Sequence, residues 1–395
     1  MTDSILIFAR STPHHRTGGM ETVAWALAAE WARTVRDVRV VTTAIPRPPA
    51  PPPFVEDGVR VVPLPGTRPG EYSPEWWEAS RAYWASLPTP PEVVLSVSAG
   101  AYGVVRDRAK FPHVPFVMQA HGTSAMEIGS KLRAHDLRSL ATSPKNMLGL
   151  AKDLARYRDF DAIVAIGENV AQSLAAPPQS WSVPPERIRL IPNGVRPEDH
   201  GFDPASRARV RGALGLDESV SVIASIGRLH VQKRVDRALR AAAVLRNRGL
   251  GSRYAFLIVG DGPEERKLHD LARELRLESI VRFTGRVHKD EVRAYYAAAD
   301  VALLTTARLE GLPMAVLEAL ACGLPSVVPT GSLGTSRLDR VVREADPADA
   351  ERLADVLIDV TGHRGARASL LPEEFTLAHS ARSYLTAFQD LVPVP

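Results

Sequence analysis

The chain has 395 residues, of which 45% are hydrophobic and 24% are charged, and its formal net charge is +4. This length predicts two or three domains, and this composition excludes a wholly disordered protein. No apolar run reaches the ~18 residues that a membrane-spanning helix needs. The arginines are scattered and mixed with acids, which is not typical of a nucleic-acid-binding surface.

The cysteine content and the first residues limit the location of the protein. The single cysteine, Cys322, excludes an internal disulfide and a Cys-rich metal site. Asp3 stands where a signal peptide has positive charge, and the apolar stretch after it is short. We therefore interpret Ile5–Ala9 as a first buried strand and expect a cytoplasmic protein.

Short apolar runs alternate with helical patterns along the chain. In the first half the predicted strands are Ile5–Ala9, Val38–Thr42, Val59–Val62, Val93–Val97, Phe116–Gln119 and Ala162–Ala165, with predicted helices at Met20–Arg33 and Pro74–Ala85. In the second half the predicted strands are Ser221–Ile226, Ala255–Val259, Val281–Thr284, Val301–Leu304 and Ser326–Val328. Such Val-, Ile- and Leu-rich runs separated by helices indicate parallel strands that are covered on both faces. We predict an α/β protein of two Rossmann-like, doubly wound lobes with a cleft between them.

Turn residues mark the boundary between the two series. They cluster at 192–197, where no helix can continue. We predict an N-terminal domain over 1–197, a second domain over 198–375 and a terminal segment over 376–395. That segment has a helical pattern, and packing back on the N-terminal domain is one arrangement open to it. The proline-rich stretch Arg47–Pro53 favours a stiff surface loop over a polyproline helix that recruits a partner.

The pair Gly18-Gly19 follows the first predicted strand and precedes a predicted helix. Without side chains, the backbone there can approach a ligand closely, and the first amides of the helix can hold an anion. A tight turn with no ligand is the alternative interpretation.

Arg228 and Lys233 follow the first predicted strand of the second half. Ligands of open α/β sheets bind at the carboxyl ends of the strands, so both cations could converge on a diphosphate there. The alternative is two solvated surface charges. Because lysine is scarce in this arginine-rich chain, its presence at 233 favours a specific role.

The segment from Leu309 to Pro325 carries the strongest pattern in the chain. Pro313 and Gly323 are typical of the start and the end of a short helix. The backbone amides of Gly311, Leu312, Pro313 and Met314 would lie at the helix start, although proline contributes no N–H, and this end of a helix attracts phosphate. Glu310 and Glu318 are then candidates for binding sugar hydroxyls and a vicinal diol. The alternatives are that Glu310 only complements the helix dipole and that Glu318 is an exposed acid on the helix surface.

Three histidines invite a functional interpretation. His121 follows a predicted strand of the first half, where it could orient a substrate hydroxyl or line the reaction centre, or serve the structure alone. His14 and His15 are adjacent and point in different directions, so we interpret them as loop residues instead of ligands of a metal or an acceptor.

The stretch 131–158 combines seven basic residues with a stripe of leucines and Met147 in a mostly helical pattern. Such a surface can make weak peripheral contact with anionic lipids at the inner membrane face. A solvated helix face or a lid over the acceptor would show the same pattern.

Taken in order, these motifs resemble the retaining glycosyltransferases of family four, which have the two-lobed GT-B fold. The resemblance covers nearly the whole chain. It includes Gly18-Gly19-Met20-Glu21, His121, Ala165-Ile166-Gly167-Glu168, Ile191-Pro192-Asn193-Gly194-Val195, Gly227-Arg228-Leu229 with Lys233, Val259-Gly260-Asp261-Gly262-Pro263-Glu264, Phe283-Thr284-Gly285 and the Glu310/Glu318 segment through Pro325.

The resemblance implies a role for each candidate residue. Arg228 and Lys233 would grip the diphosphate of a nucleotide-sugar donor, with Glu318 on its ribose. Glu310 would contact the sugar, and His121 would lie beside the reaction centre. Backbone groups near Val287 would meet the base, and the backbone at Gly19 would approach the phosphates. The N-terminal domain would bind a small-molecule, lipid or glycan acceptor.

The implied reaction transfers a hexose with retention of its anomeric configuration. The acceptor attacks the anomeric carbon on the same face from which the phosphate departs. Cations and helix amides stabilise the departing diphosphate, and the chain has no Asp-x-Asp pair, so we expect no metal cofactor. The donor nucleotide is open, with UDP favoured over GDP. A nucleotide-sugar 2-epimerase of the same fold and a non-catalytic scaffold are the rival interpretations.

Two positions depart from the family pattern. Arg234 stands where the family often has glycine, which puts the start of the next helix in question. The loop 329–337 lacks the familiar Gly-Gly-x-x-Glu run, so its contacts to donor or acceptor are in question as well.

Overall fold

The computed structural model describes residues 2–15, 19–46, 51–133, 143–307, 311–333, 335–362 and 367–392. The chain divides into two compact units. Unit 1 comprises Met1–Met126, Lys145–Gly194 and Leu377–Pro395, and unit 2 comprises Glu127–Pro144 and Val195–Thr376.

Unit 1 is built on an eight-stranded sheet with the order β3-β4-β2-β1-β5-β6-β7-β8. Its strands are β1 (Ser4–Phe8), β2 (Asp37–Thr43), β3 (Phe54–Glu56), β4 (Val59–Leu64), β5 (Val93–Val97), β6 (Phe116–Ala120), β7 (Ala162–Ala165) and β8 (Ile188–Leu190). Neighbours pair in parallel except for the edge strand β3, which is antiparallel to β4.

Unit 2 is built on a six-stranded, all-parallel sheet with the order β11-β10-β9-β12-β13-β14. Its strands are β9 (Ser221–Ile226), β10 (Tyr254–Val259), β11 (Val281–Gly285), β12 (Val301–Leu303), β13 (Ser326–Pro329) and β14 (Val342–Ala345).

The described α-helices lie between the strands or follow the last of them. They are α1 (Gly19–Trp31), α2 (Pro74–Ser86), α3 (Ser124–Arg133), α4 (Ser143–Tyr157), α5 (Glu168–Ala175), α6 (Pro197–His200), α7 (Pro204–Leu214), α8 (Val235–Asn247), α9 (Glu265–Glu274), α10 (Val292–Ala298), α11 (Met314–Ala321), α12 (Ala350–Thr361) and α13 (Leu377–Gln389). No helix in these described ranges is both long and apolar enough to cross a membrane.

The strand β10, which lies between β11 and β9, shows how the sheet of unit 2 is covered on both faces. Tyr254, Phe256 and Ile258 belong to one buried cluster, which includes residues of α8, α9 and α12. The alternate residues Ala255, Leu257 and Val259 belong to another cluster, which includes residues of α10 and α11. A strand that is buried on both faces reads as a continuous apolar run, because successive side chains point to opposite sides. The predicted fold class of two parallel-sheet α/β units is thus confirmed.

The last helix, α13, belongs to unit 1 and packs on α1. The ring centroid of Trp31 lies 5.5 Å from that of Tyr384 and 5.7 Å from that of Phe388. The Trp31 Nε1–H donates to the carbonyl of Ala381 at 3.0 Å. All three rings are at most 1% exposed, so the end of the chain completes the core of this unit.

The structure contains elements that the sequence patterns did not predict. The strands β3, β8 and β14 are three or four residues long, and each lies at or near an edge of its sheet. Segments of three or four residues are too short to show a clear period-2 pattern, and pairing with a neighbouring strand makes them strands. The predicted helical stretch 131–158 contains the end of α3 and all of α4, and residues 134–142 lie outside the described residues.

Candidate functional site

The carboxyl edge of the sheet in unit 2 carries most of the predicted donor-binding residues. β9 lies between β10 and β12. The chain continues from β9 to β10 on one side of β9 and later returns to β12 on its other side. Ligands of doubly wound sheets bind at such a topological switch point. Arg228 and Lys233 follow β9, Val287 follows β11, and Gly311 to Met314 follow β12.

The backbone around Arg228 is held tightly against the end of β10. The Gly227 N–H donates to Val259 O at 2.9 Å, and the Leu229 N–H donates to Asp261 O at 2.8 Å. At Gly260, φ is +132° and a Cβ atom would lie 2.1 Å from Gly227 O. Glycine is required there because any side chain would collide with backbone. The exposed Arg228 side chain therefore stands on a rigid loop.

Lys233 ends a short 3₁₀ turn over Val231–Lys233, and its side chain is half-buried. The loop after β12 is hydrogen-bonded to this turn. Thr305 Oγ1 donates to Lys233 O at 3.0 Å, and Thr306 Oγ1 donates to Gln232 O at 3.1 Å. These bonds join the loops on the two sides of the switch point.

Arg234 adopts the left-handed conformation that favours glycine, with φ 49° and ψ 44°. Its guanidinium bonds both oxygens of Asp236, at 2.9 and 3.0 Å. Arg234 therefore has the backbone conformation that a glycine at this position would also adopt. The helix α8 begins at the next residue.

The helix predicted after residue 310 is α11, which runs from Met314 to Ala321 and directly follows Pro313. Leu312 is 5% exposed and belongs to a buried cluster that includes Val316 and Leu317. Gly323 follows the helix with φ +70°, and a Cβ atom there would lie 2.5 Å from Ala368 O. Gly311 is buried and Met314 half-buried. Glu310 lies outside the described residues.

Glu318 is half-buried on α11 and has two polar neighbours. Tyr296, which is 2% exposed, donates from its hydroxyl to Glu318 Oε2 at 3.3 Å. Burial lowers the pKa of His200, and the charge of Glu318 opposes that shift. Burial also raises the pKa of Tyr296 well above its usual value, so the phenol stays a donor. Val287 is half-buried against the core beside the end of β11.

In unit 1, Gly19 and His121 follow β1 and β6 at the carboxyl edge of the other sheet. Gly19 is the first residue of α1, and no atom lies within 4 Å of the position of a Cβ. His121 Nε2 lies 2.9 Å from Gln119 Oε1. Burial lowers the pKa of His121 to about 4, with a smaller raising effect from Glu21 and a lowering effect from Arg10. The ring is therefore neutral at physiological pH.

The sequence patterns assigned no role to several residues at this edge. The Arg10 guanidinium lies 5.2 Å from the centroid of the Tyr72 ring, and buried Glu21 accepts a 2.7 Å hydrogen bond from Ser11. Arg10 directly follows a predicted strand, which was an available signal. Gln119 is fully buried, and a glutamine in an otherwise apolar run was a signal too. Tyr72 follows no motif.

The paired histidines of the first loop are held by contacts within unit 1. The ring of His14 lies 5.5 Å from Trp25 and 5.2 Å from Phe54, edge to face in both cases. His15 Nε2 lies 3.1 Å from Thr43 O, and burial lowers its pKa.

Two family models match the chain. The model described as Glycosyltransferase Family 4 matches residues 17–199, and the model described as Glycosyl transferases group 1 matches residues 206–340. A D-inositol 3-phosphate glycosyltransferase of Saccharomonospora viridis is 34% identical over 219 residues, which are 53% of this chain and 48% of that protein. A GDP-mannose-dependent alpha-(1-6)-phosphatidylinositol monomannoside mannosyltransferase of Mycobacterium tuberculosis is 32% identical over 224 residues, or 54% of this chain and 57% of that one.

The matched segment thus spans about half the length of these curated relatives. Among solved structures, sucrose-phosphate synthase from Thermosynechococcus elongatus has a TM-score of 0.76 at 19% identity, with 98% of each chain covered. HepE from Anabaena in complex with UDP and glucose has a TM-score of 0.70 at 14% identity, covering 98% of this chain and 100% of that one. At sequence identities this low, the similarity to these structures shows a shared fold and nothing more. The two models match residues 17–199 and 206–340 and show that the chain belongs to the glycosyltransferases described as family 4 and group 1, and its fold is that of the GT-B enzymes.

Proposed function

We propose that the protein is a retaining glycosyltransferase that moves a hexose from a nucleoside diphosphate sugar to an acceptor hydroxyl without a metal cofactor. One observation carries the proposal. Two cations, Arg228 and Lys233, lie on a single loop at the switch point of a parallel sheet, and backbone hydrogen bonds lock that loop in place. Preorganised cations at such an edge suit a diphosphate.

The proposed chemistry follows from the charge that develops during transfer. The bond from the anomeric carbon to the diphosphate oxygen breaks, and the electron pair leaves with the nucleoside diphosphate. Arg228, Lys233 and the first amides of α11 would stabilise this charge more in the transition state than in the bound substrate. The acceptor oxygen bonds the anomeric carbon on the same face, and its proton passes to the departing phosphate oxygen.

The remaining candidate residues have proposed roles in binding. Glu318 would hold the ribose diol, Glu310 the sugar, and the backbone at Val287 the base, while the backbone at Gly19 would approach the phosphates. His121, neutral at physiological pH, would exchange hydrogen bonds with a substrate hydroxyl without adding charge.

The relatives limit the substrates to be tested. Their names contain GDP-mannose, D-inositol 3-phosphate and phosphatidylinositol monomannoside. We propose that unit 1 binds a polyol, glycan or lipid-linked acceptor. For the donor, GDP is tested together with UDP, which the sequence analysis favours. The cytoplasmic location stays a prediction.

The proposal is tested by thermal stabilisation with UDP, GDP and ADP in the presence of EDTA. One nucleotide should raise the Tm of the wild type, and Arg228→Ala should remove that rise while its own Tm without nucleotide stays near the wild type. Arg209→Ala, which removes an exposed arginine of α7, should keep the full rise. A rise that Arg228→Ala retains, or the absence of a rise with every nucleotide, would refute the diphosphate site.

Transfer itself is tested with the sugar of the nucleotide that binds. Arg228→Ala, Lys233→Ala and Glu310→Ala should each reduce kcat by about 10²–10³-fold, the usual loss when one transition-state donor is removed. A nucleotide sugar that changes configuration without any acceptor would identify a 2-epimerase instead.

A weak peripheral membrane contact belongs to the same proposal. On α4, Met147 is 58% and Leu148 is 57% exposed, and Lys152 and Arg158 nearby are exposed as well. Apolar side chains beside cations suit an anionic bilayer surface. Substitution of Met147 and Leu148 by serine should reduce cosedimentation with phosphatidylglycerol vesicles, whereas Val55→Ser, at an apolar residue that is 67% exposed on β3, should not.

A further inference from the structure

Gln119 is a buried polar residue whose side-chain amide has a partner at each end. It lies in β6 with 0% of its surface exposed. Its Nε2 donates to the Tyr384 hydroxyl at 2.9 Å, and its Oε1 lies 2.9 Å from His121 Nε2. The three side chains form one continuous hydrogen-bonded series within unit 1.

The far end of this series comes from the last helix of the chain. Tyr384 lies 265 positions after Gln119. Its ring is held between Trp31 and Phe388, with centroids 5.5 and 5.9 Å away, and the bond from Trp31 to Ala381 anchors the same helix. The position of the Tyr384 oxygen is therefore determined by packing. In the structure the Gln119 amide donates to this oxygen, which gives the buried N–H a partner and leaves Oε1 facing His121.

The orientation of the amide determines which nitrogen of His121 carries the proton. A carboxamide oxygen can only accept, so the ring nitrogen that faces it must donate. The ring is neutral, because burial and Arg10 lower its pKa to about 4 against the opposing charge of Glu21. In a neutral imidazole with a proton on Nε2, Nδ1 keeps its lone pair.

We infer that Gln119 and Tyr384 are positioning residues that hold His121 as the Nε2–H tautomer and so make Nδ1 a hydrogen-bond acceptor for a substrate hydroxyl. The part of this inference that concerns the substrate rests on the proposed function. The tautomer does not, because it follows from contacts within unit 1 alone.

The test is ¹H–¹⁵N NMR of the full chain labelled at histidine, with His121 assigned by its loss in His121→Asn. The wild type should show a protonated Nε2 and an unprotonated Nδ1 for His121 near pH 7. In Tyr384→Phe, the amide loses the oxygen that orients it, and His121 should show a mixture of both tautomers. Tyr254→Phe, which removes the hydroxyl of another buried tyrosine, should leave the His121 signals unchanged.

A second variant gives a readout that a purely structural role would not produce. Gln119→Glu places a carboxylate opposite Nε2 and should raise the titration midpoint of His121 by about one to three pH units. The low-pH limb of the kcat profile should move with it. A protonated Nδ1 in the wild type, or His121 signals that neither variant alters, would overturn the inference. If the tautomer is as stated but His121→Asn keeps full kcat, the proposed role of His121 in transfer fails and the positioning stands.

Discussion

Glu318 shows how one side chain depends on a neighbour that no motif contains. Its Oε2 accepts a 3.3 Å hydrogen bond from Tyr296, whose hydroxyl also lies 3.2 Å from Ala315 O. The tyrosine lies on α10 and the glutamate on α11, so the bond fixes the carboxylate relative to a second helix. A carboxylate held in this way is better placed to bind a ribose diol than a freely rotating one.

Tyr296→Phe should therefore weaken nucleotide binding through Glu318. We expect about fivefold weaker binding of the ribonucleotide, from the loss of about 1 kcal/mol of one hydrogen bond. Binding of the 2′-deoxynucleotide should change less, since part of the diol contact is already missing. Isothermal titration of both nucleotides measures this, and Tyr295→Phe on the same helix is the control. Equal losses for the two nucleotides would contradict a role through Glu318.

At the scale of elements, glycines allow the β9 and β10 loops to touch. The Cβ of an alanine at 260 would lie 2.1 Å from Gly227 O, and one at 262 would lie 2.3 Å from Leu229 O. The loop that carries Arg228 keeps its place because no side chain separates these backbones.

Gly260→Ala should displace the Arg228 loop and reduce both the Tm and the nucleotide-induced stabilisation. We expect a loss of stability of about 1–3 kcal/mol from backbone strain. Gly212→Ala is the matched control, because its Cβ would meet no atom within 4 Å on α7. It should leave binding unchanged and stabilise the helix by about 0.5–1 kcal/mol. Thermal scans with and without nucleotide measure both effects, and normal nucleotide binding by Gly260→Ala would argue against a preorganised loop.

Asp300 joins several elements of unit 2 through one buried carboxylate. Three guanidinium groups contact it, from Arg207 at 3.1 Å, Arg211 at 2.6 Å and Arg367 at 2.8 Å. The Val222 N–H donates to it at 2.8 Å. The start of β9, the helix α7 and the segment around 367 therefore meet at this group.

Asp300→Ala should destabilise unit 2 by about 3–5 kcal/mol, because it removes the buried carboxylate that pairs with these guanidinium groups. Glu218→Ala removes an acid that also contacts Arg207 but is 64% exposed, and it should cost at most about 1 kcal/mol. Urea denaturation of both variants gives the comparison. Similar losses in the free energy of unfolding would show that burial of Asp300 does not increase its contribution to stability.

At the scale of the whole molecule, two residue types report on the two units separately. All six tryptophans, at 25, 31, 76, 77, 84 and 181, belong to unit 1, whereas the single cysteine, Cys322, belongs to unit 2. Cys322 is fully buried, and burial raises its pKa to about 11. The thiol is therefore protonated and shielded at pH 8 in the folded unit.

Alkylation of Cys322 by iodoacetamide should require opening of unit 2. In increasing urea, Asp300→Ala should become reactive at a lower concentration than the wild type, while its tryptophan fluorescence midpoint shifts less. Mass spectrometry and fluorescence on the same samples measure the two events. Rapid alkylation of the wild type without urea would contradict the buried position of Cys322.

The partly buried histidines predict how the stability of the protein depends on pH. Burial lowers the pKa of His15, His121 and His200 in the folded chain. Below about pH 6.5 the unfolded chain takes up protons that the folded chain does not, so the free energy of unfolding should fall as the pH is lowered toward the folded pKa values. His121→Asn should flatten this slope, and His113→Asn, at an exposed residue, should not. Urea denaturation at several pH values tests this, and an unchanged slope in His121→Asn would refute it.

Elements with strong local signals were predictable from the amino-acid sequence. The buried run of β10 was predicted at Ala255–Val259 and is observed at Tyr254–Val259, because a strand covered on both faces must be apolar at every position. Pro313 and Gly323 bounded α11 correctly, because proline favours a helix start and a left-handed glycine favours its end. The order of such local motifs was sufficient to predict the family and the fold class.

The contacts between distant side chains depend on how the elements pack together. Gln119 and Tyr384 are 265 positions apart, and Arg211 and Asp300 are 89 positions apart. Local patterns contain no information on such pairs, because the order of strands in the sheet and the packing of helices on it bring them together. The edge strand β3 became a strand for the same reason, since pairing with β4 satisfies backbone groups that its own three residues cannot. Local periodicity therefore determined the framework, and packing between distant segments determined which groups meet Gln119 and Glu318.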